Sequence, residues 1–237
     1  MRSTKAIFQK QARDSFKNRM IFIQFIIFPV MAFILTQLVA KSDATMPQSI
    51  FVTMFGAMFA GFTPLTMTAS AIAEDKEHKS LRFLVMAGVK PYEYLMGIGG
   101  FVLLACSVVS VLFALIGGFT GMDFVKFAVV LILGSIVSII LGATFGIIAK
   151  NQQSAVATAM PIAMIFAFCP MIAQFDDNIK KVASILYTQQ VNNIVTNDIG
   201  VNSTSNILNP VLIILANAAV FLVLFILAYK KRGLKSD

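Results

Sequence analysis

Apolar and charged positions alternate in long blocks along this chain. Six stretches hold no charged residue: Met20–Ala40, Ala44–Ala73, Tyr94–Met122, Phe127–Ala149, Asn151–Phe175 and Ile199–Tyr229. The shortest is 21 residues, and a helix of that length rises roughly 31 Å, about the thickness of a bilayer's hydrocarbon. The pattern predicts six membrane-crossing helices, at approximately 20–40, 50–73, 95–117, 125–149, 154–175 and 208–229. The expected fold class is an all-α membrane protein, with residues 1–237 forming a single transmembrane domain.

The connections carry patterns of their own. In residues 1–19, Phe8, Ala12 and Phe16, with Ile7 adjacent, form an apolar stripe. Lys10, Arg13, Asp14 and Lys17 occupy other faces, so an amphipathic helix on the membrane surface is expected. Pro29 interrupts the first span and permits a kink. The second span carries an unusual polar load in Thr53, Thr63, Thr66, Thr68 and Ser70, with Pro64 among them. Residues 74–93 then form the most charged loop, Glu74-Asp75-Lys76-Glu77-His78-Lys79 running into Ser80 and the leucine-containing stretch to Met86.

A short turn at Gly117–Gly121 makes spans three and four an antiparallel hairpin. Gly142 with Gly146, and Ala155 with Ala159, are small-residue pairs that let helices approach closely, although such pairs also recur by chance. Pro161 and Pro170 lie in the fifth span. Residues 176–206 repeat apolar side chains at three- and four-residue steps but are too polar to span, which predicts one or two short helices dipping into the outer headgroup region. Asn209 and Pro210 suit the start of the last helix. Asn202-Ser203-Thr204 matches a glycosylation sequon, without meaning in a bacterial source.

Hydrophobic residues make up 58% of the chain and charged residues 13%. That charged share is about half of what soluble domains carry, and six spans in 237 residues leave little for a separate soluble domain. The net charge of +8 would suit a nucleic-acid partner, but its distribution argues against one. With a cytoplasmic N-terminus, 15 of the 19 Lys and Arg residues fall on the cytoplasmic side, and only Lys41, Lys126, Lys180 and Lys181 fall outside. This positive-inside bias places both termini in the cytoplasm and turns the basic excess into a topology signal, with some attraction to anionic lipid headgroups. The basic lead before the first apolar run, and the run itself, are both long for a cleaved signal. Cys106 and Cys169 lie within spans, so packing rather than a disulfide is expected.

Chemistry within the spans is limited by what the spans lack. No charge interrupts them, whereas ion-coupled transporters and intramembrane enzymes use ionisable side chains at membrane depth. The lone histidine, His78, lies in the charged loop among three acids, where a solvated role is expected. No Gly-x-x-x-x-Gly-Lys-Ser/Thr phosphate loop is present. A transport body of this kind is passive or draws its energy from a partner. The loop 74–93 is the cytoplasmic feature such a partner would grip; the alternative is an ordinary interfacial helix with solvated charges.

Ala71-Ile72-Ala73-Glu74-Asp75-Lys76-Glu77-His78-Lys79-Ser80-Leu81-Arg82-Phe83-Leu84 resembles the acidic segment and leucine-rich turn of the ABC-2 type permeases, the transmembrane subunits of ATP-driven exporters. Gly88-Val89-Lys90-Pro91-Tyr92-Glu93-Tyr94-Leu95-Met96-Gly97 is similar to the family's entry into its third helix. Two departures are Ser80, where the family often has Thr, and an outer segment lacking the proline common near its middle.

The resemblance implies a permease subunit that pairs with a second copy or a sister permease. A separate ABC ATPase subunit would dock on a cytoplasmic coupling helix at about residues 74–86. ATP and Mg would sit on that partner, with no cofactor or metal on this chain and no catalytic site. Glu74, Asp75, Glu77, His78, Ser80, Leu81 and Leu84 would form the coupling interface. Glu74 and Glu77 would face the motor, and Leu81 and Leu84 would anchor in it. Gln24, Thr63, Met67, Ser70 and Thr158 would line a path for an amphipathic substrate: a drug, an antimicrobial peptide, a lipid or a glycan-lipid. The alternative for these hydroxyls is bonding within their own helices and packing. The cell membrane of a bacterium is the expected location. A non-transporting scaffold or sensor and a passive channel remain the competing readings.

Overall fold

The computed structural model describes residues 2–17, 19–40, 47, 49–78, 80, 88–89, 91–197 and 207–232. Among these residues the chain is helical and contains no strand. The elements are α1 (Arg2–Lys17), α2 (Arg19–Leu35) continuing into a π-helical turn (Thr36–Ala40), α3 (Ile50–Glu77), α4 (Pro91–Ile116), α5 (Gly121–Ile148), α6 (Gln152–Ile172), α7 (Asp177–Ala183), α8 (Tyr187–Asn197) and α9 (Leu208–Arg232). Five of them, α3, α4, α5, α6 and α9, are long and apolar enough to cross a bilayer. The first apolar stretch differs in kind. It is 17 residues of α-helix with Pro29 inside, followed by five residues of wider π turn. Nothing in the sequence foreshadows that change of winding, which adds a residue per turn. Pro29, Ala32 and Thr36 are buried on one face of this element.

α3 is the central helix, packed by α2, α4, α5, α6 and α8. Its buried residues run almost without interruption from Gly56 to Ala69, so helices surround it on every side. Two neighbours come close because small residues face it. A Cβ on Gly142 would lie 2.3 Å from the Leu65 carbonyl oxygen, and one on Gly146 would lie 2.8 Å from Ile72 Cβ. The expected Gly142/Gly146 pair is thus the seam between α5 and α3. On α6 the buried alanines Ala155, Ala159, Ala163 and Ala167 form the corresponding stripe. By contrast α9 leaves Leu212, Leu215, Val220, Val223 and Leu227 more than half exposed, an apolar surface suited to lipid.

Packing adds detail to two expected segments. α1 packs along α4, with Ile7, Gln11 and Ser15 buried, Phe8 and Ala12 set against the core, and Phe8 meeting Phe101 edge-on at 5.8 Å. The approach depends on Gly97, where any Cβ would come within 2.7 Å of Ile7 Cβ.

The outer segment does form two short helices, but they divide the roles. α7 exposes Ile179 and Val182, while α8 folds back into the body against α3, α5, α6 and α9. Tyr187, Val191, Ile194 and Val195, spaced along one face of α8, are all buried. The sequon at 202–204 lies outside the described residues. Cys106 and Cys169 are both free.

Candidate functional site

α3 contains 28 residues and rises roughly 42 Å, longer than a hydrocarbon core of about 30 Å. Its apolar part ends at Ala73, and the charged turn Glu74–Glu77 extends past it. Successive residues on a helix point about a third of a turn apart, so each charge in this turn meets a different neighbour.

Asp75 points inward and is 5% exposed. Lys10 of α1 forms an ion pair with its Oδ1, and the Tyr94 hydroxyl of α4 donates to Oδ2 at 3.0 Å. Lys76 Nζ donates to the carbonyl oxygens of Ile147 and Ala149, each at 2.9 Å, at the C-terminus of α5. A cation suits that position, because the last carbonyls of a helix carry its negative end. Glu77 Oε2 accepts from the backbone N–H of Gln152 at 3.0 Å, the first residue of α6. The α6 start is further ordered by Asn151, whose side chain accepts from the Ser154 N–H at 2.8 Å, a side-chain N-cap. Gln152 also donates through its side chain to Ser70 Oγ at 2.9 Å. Three consecutive residues of α3 thus tie it to α1 and α4, to α5, and to α6.

Glu74 is half-buried near Asp14 and Asp75. Burial, then those two carboxylates, push its carboxyl above the ordinary value, while His78 and Lys10 pull it down. His78 is exposed at the helix end, with its N–H bonded back to Glu74 O. Ser80 is half-buried. Leu81 and Leu84 lie outside the described residues.

The expected coupling residues therefore separate. Asp75 faces the interior, and Glu77, though exposed, is engaged with α6. Glu74, His78 and Ser80 keep at least part of their surface open. Sequence reasoning passed over Lys10, Lys76, Tyr94 and Gln152 as functional partners. A usable signal existed for Asp75: it falls three and four residues after Ile72 and Ala71, on the face that carries the buried residues of α3.

The five expected path residues fall in different surroundings. Thr63 is fully buried and donates to the Gln24 carbonyl of α2 at 3.3 Å. Met67 is 2% exposed, so in the single chain both are packing residues rather than an open face. Ser70 is half-buried and bonded to Gln152. Thr158 is exposed on α6, its hydroxyl bonded to Ser154 O at 2.8 Å. Thr66 and Thr68 likewise bond to carbonyls of their own helix, which accounts for much of the polar load on α3 without a ligand.

A second polar cluster lies deep in the bundle. Ser138 of α5 donates to the Ala60 carbonyl of α3, and its Oγ is 2.6 Å from the Tyr187 hydroxyl, which then serves as the donor. Tyr187 is 0% exposed and packs against Phe166 and Phe221, at 5.0 and 6.2 Å between ring centroids. Asn217 of α9 donates to the Ile185 carbonyl at 2.9 Å, in the turn before α8. The Ser138 and Tyr187 bonds satisfy fully buried polar groups, while the Asn217 bond is exposed. Among the described residues no group of His, Cys, Asp and Glu has the arrangement of a metal site.

Comparison with curated proteins gives no match. A family model described as ABC-2 family transporter protein matches residues 5–229, from within α1 to the last turns of α9. With the match covering nearly the whole helical body, the chain belongs to the ABC-2 transporter family.

Proposed function

We propose that this chain is the permease subunit of an ABC exporter, a six-span body with both termini in the cytoplasm, driven by a separate ATPase. Members of the family serve as membrane transport subunits and generally work with an ABC ATPase. The observation that carries the reading is the family match over residues 5–229, together with the charged end of α3. That end is linked directly to α1, α4, α5 and α6, so a push delivered there reaches four helices through hydrogen bonds and ion pairs.

In this reading α2 with its π turn completes the sixth span, and together they contain 22 residues. The ATPase contacts the segment after α3, with Glu74, His78 and Ser80 contributing and Leu81 and Leu84 anchoring in the motor. ATP and Mg are held by that partner. The substrate is amphipathic: a drug, an antimicrobial peptide, a lipid or a glycan-lipid. The permease pairs with a second copy or a sister subunit in a bacterial cell membrane. Of the path residues, Thr158 is open in the single chain, while Thr63, bonded to Gln24 of α2, joins the path only when α2 moves away from α3. Met67 is enclosed and Ser70 is held by Gln152 of α6, so their part in the path also requires helix movement.

Purification from the native membrane tests the class. The expected result is a co-purifying ATPase, and flux of an amphipathic dye in liposomes that requires ATP. A passive channel would conduct without nucleotide, and a scaffold would move nothing; either outcome overturns the proposal.

A further inference from the structure

α1 sits beside the bundle, and among the described residues Lys10 gives it an ion pair with the central helix. The Asp75 carboxylate it meets is buried, while the Lys10 side chain is 43% exposed. Below this pair Ile7 packs in an apolar cluster with Ala71, Ile72, Tyr94, Ile98, Ala143 and Ile147, which joins α1, α3, α4 and α5. At Gly97, α4 puts no side chain between its backbone and Ile7.

An ion pair at such a place is weak evidence for stability, because desolvating the two charges offsets much of their attraction. Its better-attested value is in setting register. Asp75 fixes the register of α1 against α3 and, through Tyr94, of α3 against α4. Replacing both partners, Met at 10 with Asn at 75, would remove the pair that specifies this contact without leaving the Asp75 carboxylate buried and unpaired.

We propose that the Lys10–Asp75–Tyr94 contact is the joint that makes α1 move as one body with the end of α3 when the ATPase acts, with Asp75 as a positioning residue that does not touch the motor. The inference rests on the ATP-driven reading above and assigns the transmission of movement within that machine.

The test uses the full complex in a Cys106→Ala, Cys169→Ala background. One spin label is placed at Thr120→Cys in the far turn and a second at either Lys5→Cys on α1 or Lys150→Cys, in the turn whose Ala149 carbonyl is held by Lys76 at the end of α3. Pulsed dipolar distances are recorded without nucleotide and after trapping with ADP and vanadate. In the otherwise wild-type complex both distances shift together. In Lys10→Met and in Asp75→Asn the Lys150 label keeps its shift, which also shows that the variant is folded and coupled to its motor. The Lys5 distance shift is lost. Lys10→Arg retains the full Lys5 response. The double variant Lys10→Met/Asp75→Asn loses no more than either single one, because both remove the same contact.

A full Lys5 shift in either single variant overturns the joint, as does independent movement of the two labels in the wild type. A motionless Lys150 label in the otherwise wild-type complex overturns the ATP-driven reading, and the joint with it.

Discussion

A methyl group at Gly142 would meet the Leu65 carbonyl oxygen at 2.3 Å, whereas one at Gly100 would meet Phe8 Cδ2 at 3.9 Å, an ordinary contact. Gly142→Ala should therefore force α5 off α3 and destabilise the protein by about 1–3 kcal/mol, the usual range for overpacking. Gly100→Ala should be neutral or slightly stabilising, since alanine is the better helix former. Thermal unfolding of both variants in detergent, under one set of conditions, checks the pair. Glu74 gives a residue-scale prediction with a sign. Its folded carboxyl titrates above the ordinary 4.5, so between that value and the folded one the native state binds more protons than the unfolded chain. Stability contributed at Glu74 is thus present at low pH and lost as pH rises through this window. Glu74→Gln should remove that slope and be relatively more stable at neutral pH, as read from melting curves across pH.

At the scale of an element, the charged turn of α3 acts on its neighbours' ends. Lys76→Met should weaken the C-terminal turn of α5 by about 0.3–2 kcal/mol, since it removes a cation from carbonyls at the negative end of a helix. The expected readout is faster amide exchange confined to the last turn of α5. Inside the bundle, Ser138→Ala leaves the Tyr187 hydroxyl without the partner it has in the wild type. We expect a loss of about 1–3 kcal/mol, the cost of an unsatisfied buried group. Tyr187→Phe removes the hydroxyl itself and should cost less, because Ser138 keeps its bond to Ala60. A larger loss in Tyr187→Phe than in Ser138→Ala would contradict this account of how α8 is held.

For the whole molecule, orientation is the property with the clearest test. Thiol-specific labelling in intact cells with a membrane-impermeant maleimide should modify cysteines placed at Thr120 and Lys180. The same reagent should spare cysteines at His78, Lys150 and Lys230 until the membrane is opened. Labelling of His78→Cys from outside would reverse the topology and detach the charged turn from any cytoplasmic ATPase.

Much of this was legible in the chain itself. Absence of charge over 21 or more residues needs no partner to interpret, because a lipid core penalises every buried charge alike. The long apolar helices α3, α4, α5, α6 and α9 followed from it; the hairpin was read from the glycine turn at 117–121, and Gly142 with Gly146 as a small-residue pair whose partner helix the sequence did not name. The family resemblance rested on a run of residues that can be compared letter by letter.

The direction of each polar side chain was another matter. Glu74, Asp75, Lys76 and Glu77 are neighbours in the chain and alike in character, yet one is half-buried, one is enclosed, one caps α5 and one holds α6. Helical rotation sends them to different sides, and only the packed helices decide what waits there. The same holds for Thr63, Met67 and Tyr187, whose burial depends on residues far away in the chain. Length and polarity are additive along a sequence and survive being read one residue at a time. Contact is a property of pairs, and it exists only after the helices have met.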